Sequence, residues 1–401
     1  MELGLQFGYG MMDHSRALVR AWGQGVVVLS PRDLDGGQLD RLSYDVHAEG
    51  GGVLFDPQFY LPDADHGRLT SHDYWPNQYE TGAFWSGDEL RVLLKKLVAL
   101  NERLSADSFI LPGIYAHRVD DDWSARQQLV IDEARNLSSL PKLATVALSA
   151  DAVRANEDID EVLAAAEKWD VEGIYLVCEH PQGNYLVADP TWLSNQLDLV
   201  AGLALKGKTV LVGYANHQQL ILVTAGASAL ASGTWMNVRS FPPDKFRVQY
   251  DDEIKQRATW FYCPQALSEY KVQFLDIAQK QGVLDIMRPP PELGSAHADV
   301  LFAVPQPSSA KWTEQAAFRH YLQSFRSQVT AAHASTFDAA VTHYERCLDE
   351  AERVLGQLHA AGVRGQARDF MECVDVGRAA VSVLKSVRGP MLRRQWSSII
   401  Q

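Results

Sequence analysis

Two carboxylates of this sequence stand directly behind apolar runs. Asp56 follows the run 52–55 and precedes Pro57, and Glu179 follows the run 174–178. Carboxyl groups in different surroundings can act as general acid and base, or as acid and nucleophile, when a glycosidic bond is cleaved. Asp56 has an alternative role as a turn cap, because aspartate side chains in turns often accept backbone N–H groups. Glutamate is less suited to that role, which favours a functional Glu179.

Polar residues at the ends of other apolar runs extend this set. His217 is a candidate for proton transfer, because the usual histidine pKa lies near neutrality. Asn216 either contacts a substrate or caps the following helix, and Arg32 and Asp33 either contact a ligand or pair with each other. The candidate catalytic residues are Asp56, Glu179 and His217. The candidate substrate-binding residues are Gln6, Arg32, Asp33, Gln58, Trp75, Trp85, Asn216, Trp235 and Arg239.

The segment 56–85 is rich in aromatic residues and unusually long for a connection between two elements. Long loops of this kind are commonly lids or binding loops. Aromatic faces stack on sugars and nucleobases, although the same rings could instead pack together and hold the loop in place. The acidic and histidine residues of the segment match no metal-ligand spacing. The sequence therefore predicts no metal and no cofactor.

The elements that position these residues are eight short β-rich runs, each followed by a helical stretch. Their mostly non-alternating apolar character fits strands of a parallel sheet buried on both faces. A doubly wound sheet is the alternative, but no G-x-G-x-x-G follows the first run. The pattern predicts an α/β fold, a (β/α)8 TIM-type barrel over residues 1–250, with the candidate residues at the carboxyl ends of its strands. The predicted strands are 3–8, 25–30, 52–56, 108–112, 142–148, 173–177, 209–213 and 227–231.

The remaining residues, 251–401, are predicted to form a mainly helical C-terminal domain or extension. Four segments have the spacing of amphipathic helices, and proline-rich stretches separate some of them. This region is also the candidate surface for oligomer formation. Its last residues are locally basic, through Lys385, Arg388, Arg393 and Arg394. The predicted helices are 267–281, 312–332, 337–360 and 367–386.

Composition restricts the class of protein. The 401 residues are 46% hydrophobic and 22% charged, as in a globular protein with a sizeable core. The net charge of −13 does not favour binding to nucleic acid by bulk attraction. No secretory signal and no apolar run long enough to span a bilayer is apparent, so no membrane partner is predicted. Four scattered cysteines without a C-x-x-C pair indicate a reducing, cytoplasmic location.

The layout resembles the TIM-barrel nucleobase-exchanging enzymes, the tRNA-guanine transglycosylase-like superfamily. The likeness covers roughly residues 1–250 and consists of the barrel, the strand-end carboxylate Asp56, and the unit 226–230 that leads to Arg239. The resemblance implies exchange of a base at an N-glycosidic bond. The zinc-binding cysteine cluster of the bacterial and archaeal tRNA enzymes is absent from this sequence. The resemblance therefore implies neither a tRNA substrate nor a structural zinc ion.

Together these patterns predict an enzyme, a glycosidase or a glycosyltransferase-like transglycosylase. It would hydrolyse or exchange a glycosidic or N-glycosidic bond of a small or nucleoside-like substrate, through Asp56 and Glu179. One alternative is a catalytically silent barrel that binds a ligand or a protein partner, because a fold does not dictate a function. Another is a base-modifying enzyme that acts on nucleic acid, which needs a positive path from the strand ends to the basic C-terminus.

Overall fold

The first part of the chain forms a parallel sheet that curls into a barrel. The computed structural model describes residues 1–77, 79–247 and 258–400. All pairings within this sheet are parallel. The strands are β1 (Glu2–Gln6), β2 (Val26–Leu29), β3 (Gly52–Phe55), β4 (Phe109–Ile110), β5 (Tyr115–Ala116), β6 (Lys142–Leu148), β7 (Gly173–Cys178), β8 (Thr209–Val212) and β9 (Ala229–Ser232).

The strand order brings the first and last strands of the sheet together. It runs β3-β2-β1-β9-β8-β7-β6-β4, and β5 pairs with β6 beyond the end of β4. Between β3 and β4, the Asp107 N–H donates to the Val53 carbonyl oxygen at 3.0 Å. The structure is therefore a nearly closed barrel of eight parallel strands. The prediction of an α/β barrel at this level is confirmed, with the fourth unit split between β4 and β5.

Helices alternate with the strands and cover the outside of the barrel. The strands are buried on both faces, and every residue of β6 and β7 is buried, as expected for a parallel sheet inside a layer of helices. Asp35 caps the second helix in a capping box with Gln38. The helices are α1 (Met12–Trp22), α2 (Gly36–Ala48), α3 (Thr81–Ser86), α4 (Glu89–Arg103), α5 (Asp121–Ala134), α6 (Ala150–Arg154), α7 (Asn156–Ala166) and α8 (Pro190–Leu205).

The C-terminal region is mainly helical, as predicted, but it begins with a β-hairpin that the sequence analysis did not anticipate. The hairpin pairs β10 (Trp260–Cys263) with β11 (Ser268–Lys271) in antiparallel register. The predicted helix 267–281 was therefore wrong over its first turn, because these residues pair with the aromatic strand before them. The helices are α9 (Val272–Lys280), α10 (Asp299–Phe302), α11 (Glu314–Ala331), α12 (Phe337–Ala360), α13 (Met371–Val387) and α14 (Gly389–Ile399).

The C-terminal helices lie against the barrel. The Trp22 indole N–H of α1 donates to the Gln323 side chain of α11 at 2.7 Å. Arg388, between α13 and α14, makes two hydrogen bonds of 2.8 and 2.9 Å to Asp198 of α8. The predicted domain boundary between residues 250 and 251 falls outside the described residues. No helix of the described residues is long and apolar enough to cross a membrane.

Candidate functional site

Asp56 lies at the carboxyl end of β3 and is completely buried, with 0% of its surface exposed. Its Oδ2 accepts hydrogen bonds from the hydroxyls of three tyrosines: Tyr60 at 2.8 Å, Tyr175 at 3.2 Å and Tyr214 at 3.4 Å. Its Oδ1 accepts from the Gln58 N–H at 2.9 Å, so the turn-capping role is realised. The tyrosines come from the β3 loop, from β7 and from the end of β8, so the closing of the sheet brings them together.

The backbone around Asp56 is held in an uncommon conformation. Gln58 and Tyr214 have φ values of 52° and 53°, a left-handed region that residues other than glycine seldom occupy. Both contact the Asp56 carboxylate, and the Gln58 amide also donates to Tyr214 at 3.1 Å. Gln6, at the end of β1, accepts from the Tyr175 hydroxyl at 3.2 Å. Gln6, Asp56 and Gln58 are thus brought together, as the sequence analysis expected of strand-end residues.

Burial controls the protonation of Asp56. Removal from water raises its pKa to about 6, although the Gln58 N–H and the three tyrosine hydroxyls favour the carboxylate. The same burial raises the pKa of Tyr60, Tyr175 and Tyr214 well above the usual range. The tyrosines therefore remain neutral hydrogen-bond donors, and Asp56 changes charge a little below neutral pH.

The segment 241–246 covers Asp56 from the carboxyl face of the barrel. Phe241 and Phe246 are buried and pack on the Tyr60 ring, with centroids 5.0 and 4.9 Å away. Lys245 is also buried, with its Nζ 3.6 Å from Asp33. The Arg32 Nε donates to the Lys245 carbonyl oxygen at 2.8 Å. We call residues 241–246 the plug, and Arg32 and Asp33 hold it in place in this structure.

Glu179 lies on the same face of the barrel as Asp56. Its carboxylate accepts hydrogen bonds from the Tyr115 hydroxyl at 2.5 Å and from the Ala150 N–H at 3.1 Å. Its backbone forms a bridge with Phe241, whose ring lies 6.1 Å from the Tyr115 ring. Phe241 of the plug therefore contacts a tyrosine partner of each carboxylate, Tyr60 of Asp56 and Tyr115 of Glu179. Glu179 is half-buried, whereas Asp56 is sealed.

His217 and Asn216 lie in the wall between the barrel and the C-terminal region. The Asn216 Oδ1 accepts from the Gln218 N–H at 2.9 Å, and its amide donates to the Tyr185 carbonyl oxygen at 2.7 Å. Asn216 therefore caps the short 3₁₀ helix His217–Ala225. His217 is buried against Tyr262, with ring centroids 4.9 Å apart. Burial lowers the pKa of His217 to about 4, so the ring is neutral at pH 7.

Most of the aromatic rings of the segment 56–85 pack on one another. Phe59 lies at the centre, with its ring centroid 5.1 Å from Trp75 and 5.5 Å from Phe84. Trp75 is buried in this small core. Trp85 borders a separate hollow of about 300 Å³ next to α4. Trp75 therefore belongs to a small core that holds the loop in place. Neither Trp75 nor Trp85 lies beside Asp56 or Glu179.

The large cavity of the described structure lies beside the plug, where the carboxyl ends of β1 and β9 meet the C-terminal region. Its volume is about 1020 Å³, at the upper end of the range for small-molecule pockets. Tyr9 follows β1, and Trp235 and Arg239 follow β9. The C-terminal hairpin and α11 provide the opposite wall. Aromatic residues dominate the lining, namely Tyr9, Trp235, Trp260, Tyr262, Phe318 and Tyr321.

A buried ionic cluster forms the polar part of this cavity. Glu269 of β11 lies between two arginines, 3.3 Å from Arg239 Nη1 and 2.8 Å from Arg368 Nη1. Burial alone would raise the pKa of Glu269, but the two guanidinium groups overcome this effect and lower it to about 2. Arg239 lies over the Tyr321 ring at 3.4 Å and Arg368 over the Trp260 ring at 4.0 Å. The cluster is charged at neutral pH and rigidly packed.

Sequence reasoning found only one side of this cavity. Trp235 and Arg239 were candidate substrate-binding residues because they follow the last barrel strand. Trp260, Glu269 and Arg368 were missed, because the rule that strand ends converge says nothing about residues beyond the barrel. One signal was available: Glu269 is a lone acidic residue in a largely apolar stretch, which is typical of a buried, paired charge.

Within residues 1–77, 79–247 and 258–400, no group of three or more histidine, cysteine, aspartate and glutamate side chains could hold a metal ion. A comparison with protein-family models gives no match, and no curated protein matches the sequence. The features of the molecule that bear on its function are therefore the geometry of the cavity and of the two carboxylates.

Proposed function

We propose that the protein binds a small molecule with a planar ring, such as a nucleobase or nucleoside, in the aromatic cavity beside the plug. The observation that carries this proposal is the cavity itself. It lies at the carboxyl ends of β1 and β9, on the face where (β/α)8 enzymes of the TIM type hold their active sites. The eight parallel strands in order and their alternation with helices support this TIM-type assignment.

The lining favours a planar ring. Trp235 and Phe318 meet edge to face across the cavity at 4.6 Å, and Trp260 also lines it. Both tryptophans are half-buried. Stacking of a base on an aromatic side chain contributes about 1–3 kcal/mol. Tyr9, which is 71% exposed, lies at the rim.

A titration of the four common ribonucleosides, followed by tryptophan fluorescence and calorimetry, tests the proposal. We expect at least one of them to bind to the wild-type protein, and Trp260→Ala to weaken that binding about 10-fold or more, because one stacking surface is lost. Trp85→Ala is the matched control, since Trp85 is also half-buried but lies next to α4, away from the cavity, where its indole N–H donates to the Tyr79 hydroxyl at 3.0 Å. Equal affinities of wild type and Trp260→Ala, or binding of none of the nucleosides, would overturn the proposal.

The second candidate function is cleavage or exchange of a glycosidic or N-glycosidic bond by Asp56 and Glu179. One specific observation favours it: both carboxylates lie on the carboxyl face of the barrel, and burial raises the pKa of Asp56 to about 6. An acid of that pKa can donate a proton near neutral pH. Exchange of a base would agree with the resemblance to the transglycosylase-like superfamily. Access to Asp56 requires the plug to move, because Phe241 and Phe246 cover it.

This second candidate is tested by the amide variants Asp56→Asn and Glu179→Gln. We expect each to abolish release of free base or sugar from a nucleoside that binds, while binding itself persists. Glu172→Gln is the control, since Glu172 lies at the opposite, amino end of β7 and accepts from the Lys142 N–H. Full turnover by both amide variants in a folded protein would exclude these roles.

The remaining alternative, action on nucleic acid, receives little support from the C-terminal helices. Arg388, Lys385 and Arg393 each pair with a carboxylate, respectively Asp198, Glu345 and Asp338. These pairs neutralise most of the locally basic stretch, so it offers few free charges to phosphates.

A further inference from the structure

We infer that the ring-bearing ligand of the cavity also carries an anionic oxygen group, a phosphate or a carboxylate, which binds at Arg368 and Arg239. This inference rests on the proposed function, since it names the class of ligand for the same cavity. It concerns the ionic cluster of Arg239, Glu269 and Arg368, whose charges do not balance.

Two arginines share a single carboxylate: Arg239 is buried, and Arg368 is partly buried, with 16% of its side chain exposed. Glu269 is 3% exposed and accepts from both guanidinium groups, and no other carboxylate pairs with either arginine in the part of the chain that the structure describes. Among the described residues, the inner wall therefore carries one net positive charge, and Arg368 presents part of it towards solvent. An excess charge that is largely removed from water is stabilised by a counter-ion. An anionic ligand is the natural counter-ion for this wall.

Two further charged residues lie near the cavity in the part of the chain that the structure describes. Glu314 lines the cavity at its exposed edge. Lys271 lies on the Trp260 ring, with its Nζ 5.6 Å from the centroid. Their charges are opposite, so they leave the sum over the described residues unchanged. The positive character stays with the two arginines at the inner wall.

The two guanidinium groups are also held in place before any ligand arrives. Arg239 Nε donates to the Gly233 carbonyl oxygen at 2.8 Å, and its plane lies on Tyr321. Arg368 is held by Glu269 and by the Trp260 ring. Planar guanidinium groups match the geometry of phosphate and carboxylate oxygens. Arg239 belongs to the loop behind the last barrel strand, a common place for phosphate sites in (β/α)8 folds.

A comparison of matched ligands tests the inference separately from the proposed function. Each ribonucleoside is titrated by calorimetry against its own 5′-monophosphate, which adds only the anion. We expect the monophosphate of a binding nucleoside to bind about 10-fold more tightly or better, and this advantage to shrink as salt is raised. Competition by inorganic phosphate and by benzoate then shows whether the site takes a phosphate or a carboxylate.

The variant Arg368→Gln should lose most of the advantage of the monophosphate. The readout is the ratio of the two affinities within the same variant, because Arg368 also lies on the Trp260 ring and its loss can change the affinity for the nucleoside itself. Arg353→Gln is the matched control, because Arg353 pairs with the half-exposed Glu350 on α12 outside the cavity. Equal binding of nucleoside and monophosphate, or an advantage that survives in Arg368→Gln, would overturn the anion site while the ring site stands. Binding of neither ligand would overturn the proposed function and this inference with it.

Discussion

At the scale of single residues, Asp56 shows how burial and hydrogen bonding compete. Three tyrosine hydroxyls and one backbone N–H group donate hydrogen bonds to its carboxylate, and each of these bonds favours the charged form. Removal from water outweighs them and raises the pKa of Asp56 to about 6. The position of Asp56 at a strand end could be predicted from the apolar run before it. Its tyrosine partners could not, because they come from separate parts of the sequence.

The raised pKa of Asp56 predicts a pH-dependent stability. The folded protein holds this proton more tightly than the unfolded chain, in which the pKa is near 3.9. Stability therefore falls as the pH rises from about 4 to about 6, by about 3 kcal/mol for a shift of this size. Asp56→Asn removes the titrating group. We expect the free energy of unfolding of the wild type, minus that of Asp56→Asn, to fall by this amount between pH 4 and pH 7 in urea titrations. A difference that does not vary with pH would contradict this assignment.

Glu269 gives the opposite case, since two arginines hold its pKa low. Glu269→Gln leaves the buried Arg239 and the partly buried Arg368 without their carboxylate, so we expect a loss of about 3 kcal/mol in the free energy of unfolding at pH 7. Glu350→Gln, which breaks the half-exposed pair with Arg353, should cost less than about 1 kcal/mol. Chemical denaturation of the three proteins checks the prediction. Equal stabilities would show that the cluster adds nothing to folding.

At the scale of elements, the plug decides whether Asp56 is accessible. Its two phenylalanines fill the mouth of the barrel above the tyrosines, and the buried contacts of Lys245 fix it to Asp33 and Arg32. Two roles were predicted for Arg32 and Asp33, contact with a ligand or pairing with each other. In the structure they pair at 3.4 Å and hold the plug.

Truncation of the plug should expose Asp56. Phe246→Ala removes a buried ring, so we expect a loss of about 3–5 kcal/mol in stability, and admission of water should bring the pKa of Asp56 back towards its usual value. The difference in the free energy of unfolding between Asp56→Asn and its parent should therefore change less with pH when both proteins also carry Phe246→Ala. Phe274→Ala, on the half-buried face of α9, is the control and should leave that difference intact. An unchanged difference in Phe246→Ala would show that the plug does not seal the site.

The barrel elements were predictable because each strand is an apolar run that ends in a polar cluster. The hairpin of β10 and β11 was not, because residues 267–281 carry helical spacing while their first four residues pair with a strand. Local pattern alone could not reveal that partner. The part of the cavity wall formed by Trp260, Tyr262 and Glu269 was missed for this reason, since these residues stand on β10 and β11.

At the scale of the whole molecule, the C-terminal helices pack against the barrel and complete the wall of the cavity. They contribute Phe318 and Tyr321 to the cavity, and α13 lies against α8. The sequence predicted a helical region after the barrel, but no pattern within it indicated which helix faces would meet the strand ends. That contact depends on the three-dimensional path of the whole chain.

This shared packing predicts that the barrel and the C-terminal helices unfold together. The two parts share partly buried contacts such as Trp22 with Gln323 and Arg388 with Asp198, so separation would expose apolar surface on both. We expect a single transition in scanning calorimetry, with fluorescence and circular dichroism midpoints that coincide. Two resolved transitions would instead indicate independent domains.

The most direct test of the account is a crystal structure of the protein soaked with the ribonucleoside that binds most tightly in the titrations. We expect electron density for a planar ring in the aromatic cavity, in contact with Trp260, with the plug unmoved. Density for the ring elsewhere, with the aromatic cavity left empty, would contradict it.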